Sequence, residues 1–94
     1  MERFLEHIKT KKVRIVDHVA KKDPGVSIND VLDVMNINEE VRFLRNEWID
    51  SSVISTVARA NTKARDRKEI EEYTFKYQSS NRVENDYVSV IRNI

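Results

Sequence analysis

Residues 50–77 read DSSVISTVARANTKARDRKEIEEYTFKY, and the fold turns on how they are parsed. Residues 52–58 are rich in β-branched side chains. Alternation places Val53, Ser55 and Val57 on one face and Ile54, Thr56 and Ala58 on the other. Residues 59–69 hold no large apolar side chain and read as a loop. Residues 71–77 alternate again, with Tyr73, Phe75 and Tyr77 facing one way. This parsing predicts two strands joined by a basic loop, a hairpin. The competing parsing is one helix from about residue 50 to 77.

Upstream, Phe4, Leu5 and Ile8, then Ile15, Val16, Val19 and Ala20, fall at helical spacing and predict helix over residues 3–22. Asp23-Pro24-Gly25 ends it, because proline cannot continue a helix and glycine tolerates the turn. Val26 follows as a lone extended residue. Ser27 is placed to cap the amide three residues on, and Asp30 suits the first turn of a second helix carrying Ile28, Val31, Leu32 and Met35. That helix is expected to end near Asn36. Asn38-Glu39-Glu40 repeats the capping pattern, and Val41, Leu44 and Trp48 predict a third helix. Residues 78–86 are polar and read as a linker, and Tyr87, Val88, Val90 and Ile91 form a last apolar stripe. The expected core is Ile15, Val19, Val31, Leu32, Leu44, Trp48 and Phe75.

The resulting order is helix, short strand, helix, helix, strand, loop, strand. It predicts a mainly α winged helix-turn-helix: a three-helix bundle over residues 1–78 closed by a hairpin wing. Residues 79–94 are then a linker and the start of a C-terminal helix. With 94 residues and no cysteine, one small domain without disulfides or thiolate metal sites is expected. No run approaches the roughly 18–20 apolar residues of a membrane span, and the first residues do not read as a signal peptide.

Charge is unevenly spread. Residues 1–22 hold seven Lys/Arg against three acids, and residues 59–68 hold five against one. Between them, residues 23–51 hold two Arg against seven acids. Two basic segments on one small domain point to a polyanion. The candidate contacts are Arg59, Lys63, Arg65, Arg67 and Lys68 in the wing, with Lys11, Lys12 and Arg14 in the first helix. Arg42 and Arg45 lie among acids on the third helix, which disfavours base reading there. The expected partner is double-stranded DNA, bound weakly and with little sequence preference.

Catalytic signals are missing. His7 and His18 lack metal-ligand spacing, Glu39-Glu40 and Glu71-Glu72 have capping or solvent roles, and the serines have no nucleophile motif. No enzyme, cofactor, metal, membrane contact or small-molecule substrate is expected.

Over residues 12–92 the chain resembles the core winged-helix domain of the β subunit of general transcription factor IIE. The resemblance is carried by KVRIVDHVAKK, VSINDVLDVMN, VRFLRNEWIDSSVISTV, EEYTFKYQS and NRVENDYVSVIRNI, best at Val26 to Asp33 and at Tyr73 to Lys76. It implies duplex binding in RNA polymerase II transcription initiation, a nuclear location, the α subunit of the same factor as partner, and a second winged helix following the first. Two alternatives stay open. One is a protein-interaction module meeting a basic partner through the acidic third helix. The other is a sequence-specific viral or prokaryotic repressor, which would be cytoplasmic.

Overall fold

A computed structural model describes residues 13–94. The chain order is β1 (Ile15–Val16), β2 (Val19–Ala20), α1 (Ile28–Val34), β3 (Glu40–Leu44), α2 (Asp50–Asp66), β4 (Tyr77–Ser80) and β5 (Tyr87–Arg92). The five strands form one sheet in the order β1-β2-β3-β5-β4. Only β2 and β3 pair in parallel, and α1 makes the crossover between them. Helix α2 carries the chain across β5 to the edge strand β4.

Alternation along the central strands sets the layers. Val41 and Phe43 of β3 sit opposite Val90 and Val88 of β5, and all four are buried. The intervening Glu40, Arg42 and Leu44 and their partners Ile91, Ser89 and Tyr87 face the other side. The buried face packs under both helices, against Val31, Leu32 and Met35 of α1 and its C-cap and Val53 and Val57 of α2. Among the described residues the result is a two-layer α/β fold with nothing packed on the second sheet face.

This overturns the winged helix. Residues 53–66 are not a strand and a basic loop but the body of α2. The helical pattern is Val53, Thr56, Val57, Asn61 and Ala64, all buried, with Ala60 packed against the core. Its inward residues beyond Val57 are small, so they bring the helix close to its neighbours without the large side chains that mark an apolar stripe. Alanine, arginine and lysine over 58–67 add strong intrinsic helix preference, which outweighs the β-branched run before them. Of the expected strand 71–77, only Tyr77 enters one, while Tyr73 is 88% exposed and Phe75 is 46% exposed.

The expected first helix falls partly outside the described residues. Its described portion is the β1–β2 hairpin, turned by Asp17 and His18 at φ 52° and 65°. Two successive left-handed residues are the geometry of a two-residue hairpin turn. The expected third helix is β3, because Val41 and Phe43 find partners in β5. The expected linker and C-terminal helix of 79–94 are the end of β4, a turn and β5. Asn38, expected to cap a helix, instead sits at φ 69° in a turn and donates its N–H to the Arg92 carbonyl at 2.6 Å.

One local reading holds, and a second holds as a turn that follows a hairpin rather than ending a helix. Ser27 accepts from the Asp30 N–H at 3.2 Å, and Asp30 accepts from the Ser27 N–H at 2.8 Å, a complete capping box. Asp23-Pro24-Gly25-Val26 is a tight turn, closed by the Val26 N–H on the Asp23 carbonyl at 3.1 Å, with Gly25 at φ 79°. Trp48 is in the core, as expected. It meets Phe43 edge-on at 5.2 Å and donates to the Ala20 carbonyl at 3.2 Å. Of the other expected core residues, Val31 and Leu32 are fully buried, Ile15 packs at the margin, and Val19 and Leu44 are half-buried.

Candidate nucleic-acid interface

Helix α2 has 17 residues, and burying one side dictates what the other presents. With Val53, Val57, Ala60 and Ala64 inward, the flank of the helix on the α1 side carries Arg59, Lys63 and Arg67, each four residues from the next and all exposed. The three cations span about 12 Å along the axis. Ser55, Ala58 and Thr62 beside them are exposed and small, and Asp66 is the one acid of that face. None of the three cations makes a hydrogen bond or ion pair within the described residues.

Two features fix the helix's own geometry, and one, Asn61, fastens it to the sheet. Thr56, buried at 6% exposure, donates to the Ser52 carbonyl at 2.6 Å. Asn61 is equally buried, and its side-chain amide bonds both backbone groups of Tyr77. It donates to the carbonyl and accepts from the N–H, each at 2.9 Å. At the C-terminus the Lys68 N–H reaches the Arg65 carbonyl at 3.0 Å and the Glu69 N–H reaches the Ala64 carbonyl at 2.9 Å. This is the Schellman pattern, with Lys68 at φ 59° in the position that favours glycine. On the α1 side the ridge borders a cleft of about 230 Å³, where Lys63, Arg67 and Lys76 stand with Asp33 and Glu69. There Lys76 pairs with Glu69 at 3.4 Å.

The structure separates the other candidate cations from this ridge. Arg65 turns toward the sheet, lies over the Phe75 ring at 5.1 Å and donates to the Thr74 carbonyl at 3.3 Å. Lys68 lies past the helix end. Arg14 is engaged by Asp23 through two hydrogen bonds of 2.8 and 2.6 Å. That bond and the guanidinium charge hold the Asp23 carboxyl below its usual range, and Asp23 raises the Arg14 guanidinium in turn. Lys11 and Lys12 lie outside the described residues. Arg42 sits on the open sheet face, over Tyr87 at 4.8 Å and near Glu40 at 3.8 Å. Arg45 is bonded to Asn81 Oδ1 and to the Arg82 carbonyl, which ties the β4–β5 turn to the segment entering α2.

Sequence reasoning found the cations but missed Asn61, the residue that fastens their helix to the sheet. Its signal was a lone amide on the helical stripe of Val53, Val57 and Ala64. Among the described residues no group of three or more His, Asp or Glu is arranged to hold a metal ion, and no helix is long and apolar enough to cross a membrane. No family model, curated protein or solved structure matches the chain, and nothing in these comparisons identifies a transcription factor IIE domain.

Proposed function

We propose that the chain binds double-stranded DNA, weakly and with little sequence preference, through the exposed ridge of α2. The observation that carries this reading is the exposed row Arg59, Lys63 and Arg67, none of them in an ion pair among the described residues, beside the small side chains of Ser55 and Thr62. Like charges at four-residue spacing repel by roughly 0.2–0.5 kcal/mol per pair on a helix. Here no carboxylate pairs with them among the described residues. A phosphate backbone supplies the missing counter-charge and releases condensed cations as it does so. The steric fit agrees: a helix about 10–12 Å across enters a major groove about 12 Å wide. Small side chains at Ser55, Ala58 and Thr62 let it approach. Sparse amide and guanidinium groups at the helix start leave little base readout, since residues 51, 52 and 55 are all serine.

The test is a titration of labelled random duplex at two salt concentrations. Each phosphate neutralised adds about 0.9 to the salt slope. Replacing Arg59, Lys63 and Arg67 together by Gln is expected to lower the slope by roughly two to three and to weaken binding alike on all sequences. Arg14→Gln, which removes a cation already paired with Asp23, is expected to change it by less than one. Wild-type protein that fails to bind duplex at low salt, or a triple variant with an unchanged slope, defeats the proposal.

A further inference from the structure

The side of α2 that faces β4 forms a second feature, distinct from the cationic ridge. Between the helix and residues 75–79 lies a groove of about 370 Å³. Small-molecule sites run from about 300 to 1,000 Å³ and are mostly apolar with a few converging polar groups. Here Ile54, Val57, Ala58 and Phe75 supply the apolar lining. Among the described residues Arg65 is the one charged lining side chain, and no acid lines the groove.

The Arg65 guanidinium is under-used. A guanidinium carries five N–H donors in a planar fork suited to carboxylates. Among the described residues only one has a protein acceptor, the Thr74 carbonyl at 3.3 Å, and Nε is shielded from solvent without a partner there. The group is held mainly by its stacking on Phe75 at 5.1 Å. An unpaired cation beside an apolar floor is complementary to a carboxylate attached to an apolar body.

The edge strand narrows the choice of occupant. An added peptide strand would need the outward backbone groups of β4. Those of Tyr77 are already taken by the Asn61 amide, in the middle of the groove. The groove therefore suits a small amphiphile better than a paired strand.

We propose that this groove binds a small amphiphilic carboxylate, its apolar body on Ile54, Val57 and Phe75 and its carboxylate on the Arg65 fork. Its charged group, Arg65, lies on the flank of α2 away from Arg59, Lys63 and Arg67, while Ala58 and Thr62 border both surfaces.

The test uses decanoate, kept below its micellar concentration, titrated into the full chain at pH 7 and followed by two-dimensional amide NMR. The expected result is saturable shifts centred on residues 54–65 and 75–79. Arg65→Gln should weaken binding at least tenfold, and decanol, with the same chain and no charge, should lose at least as much. Ala58→Trp, a filling change at an exposed helix position, should abolish binding while thermal melts show a folded chain. Arg82→Gln, an exposed cation outside the groove, should leave affinity within twofold. No saturable shift, shifts centred elsewhere, or equal affinity for decanoate in wild type and Arg65→Gln overturns the proposal. Equal affinity for decanol and decanoate overturns it as well, even if Ala58→Trp fails to fold.

Discussion

Replacing Asn61 by Ala should destabilise the fold more than its modest size suggests. The side chain is 5% exposed, and its amide satisfies the N–H and the carbonyl of Tyr77 at 2.9 Å each. No other described group bonds these two atoms outside the sheet ladder. Leaving a buried backbone group without a partner costs about 1–3 kcal/mol. Two such groups set a range of about 2–6 kcal/mol. The adjoining groove admits water to part of this edge, which favours the lower half, about 2–4 kcal/mol. In a domain of this size each kcal/mol lowers Tm by roughly 4–8 °C. Urea unfolding followed by Trp48 fluorescence gives the difference directly, and an unchanged slope with denaturant shows that the same surface is exposed. Asn61→Asp adds a signed check. At neutral pH its carboxylate accepts from the Tyr77 N–H but opposes the carbonyl oxygen, whereas the protonated acid can donate to it. The penalty should therefore shrink as pH falls. Thr62→Ala, one residue along on the exposed side, should stay within about 0.5 kcal/mol of wild type. An Asn61→Ala variant equally close to wild type would refute the reasoning, since the amide would then not be the partner of this edge.

Four further outcomes follow from the same structure. Trp48→Ala should cost about 3–5 kcal/mol, and Trp48→Phe, which loses the bond to the Ala20 carbonyl and leaves part of the buried indole volume empty, about 1–3 kcal/mol by the same urea assay. At the two left-handed positions the signs should oppose: Gly25→Ala meets no steric neighbour yet loses about 1 kcal/mol to φ 79°, while Lys68→Gly gains up to about 1 kcal/mol, both read as shifts in thermal midpoint. Because the Arg14 bond depresses the Asp23 carboxyl, its contribution is fully present above the unfolded value near 3.9 and is lost as pH falls through the lower folded value. Stability measured from pH 6 to pH 2 should therefore lose part of its acid slope in Arg14→Gln. Burial raises the Tyr77 hydroxyl, which donates to the Leu32 carbonyl at 3.0 Å. Its contribution is complete below the unfolded value near 10 and is lost as pH rises through the folded one. Tyr77→Phe should cost about 1 kcal/mol at pH 7 and flatten the alkaline limb of a pH titration of stability.

Features set by neighbours in the chain were legible without a structure. The capping box of Ser27 and Asp30 starts α1, and the Asp23-Pro24-Gly25 turn precedes it, because each needs only residues within three or four positions. The concentration of cations over 59–68 was equally legible, and so was the burial of Trp48. What those cations face was decided elsewhere. Residues 40–48 carry Val41 and Phe43 at strand spacing and Val41, Leu44 and Trp48 at helix spacing, and pairing with Val88 and Val90 selects the strand over residues 40–44. Residues 15–20 turn on Asp17 and His18, a pair without the glycine that usually announces such a turn. In residues 53–66 the β-branched start favours a strand locally. The helix wins because Ala60 and Ala64 let it lie close against the core and Asn61 closes the β4 edge. Short apolar segments satisfy both periods, so the contacts that choose between them lie dozens of residues away, and only their packing turned a basic loop into an exposed helical ridge.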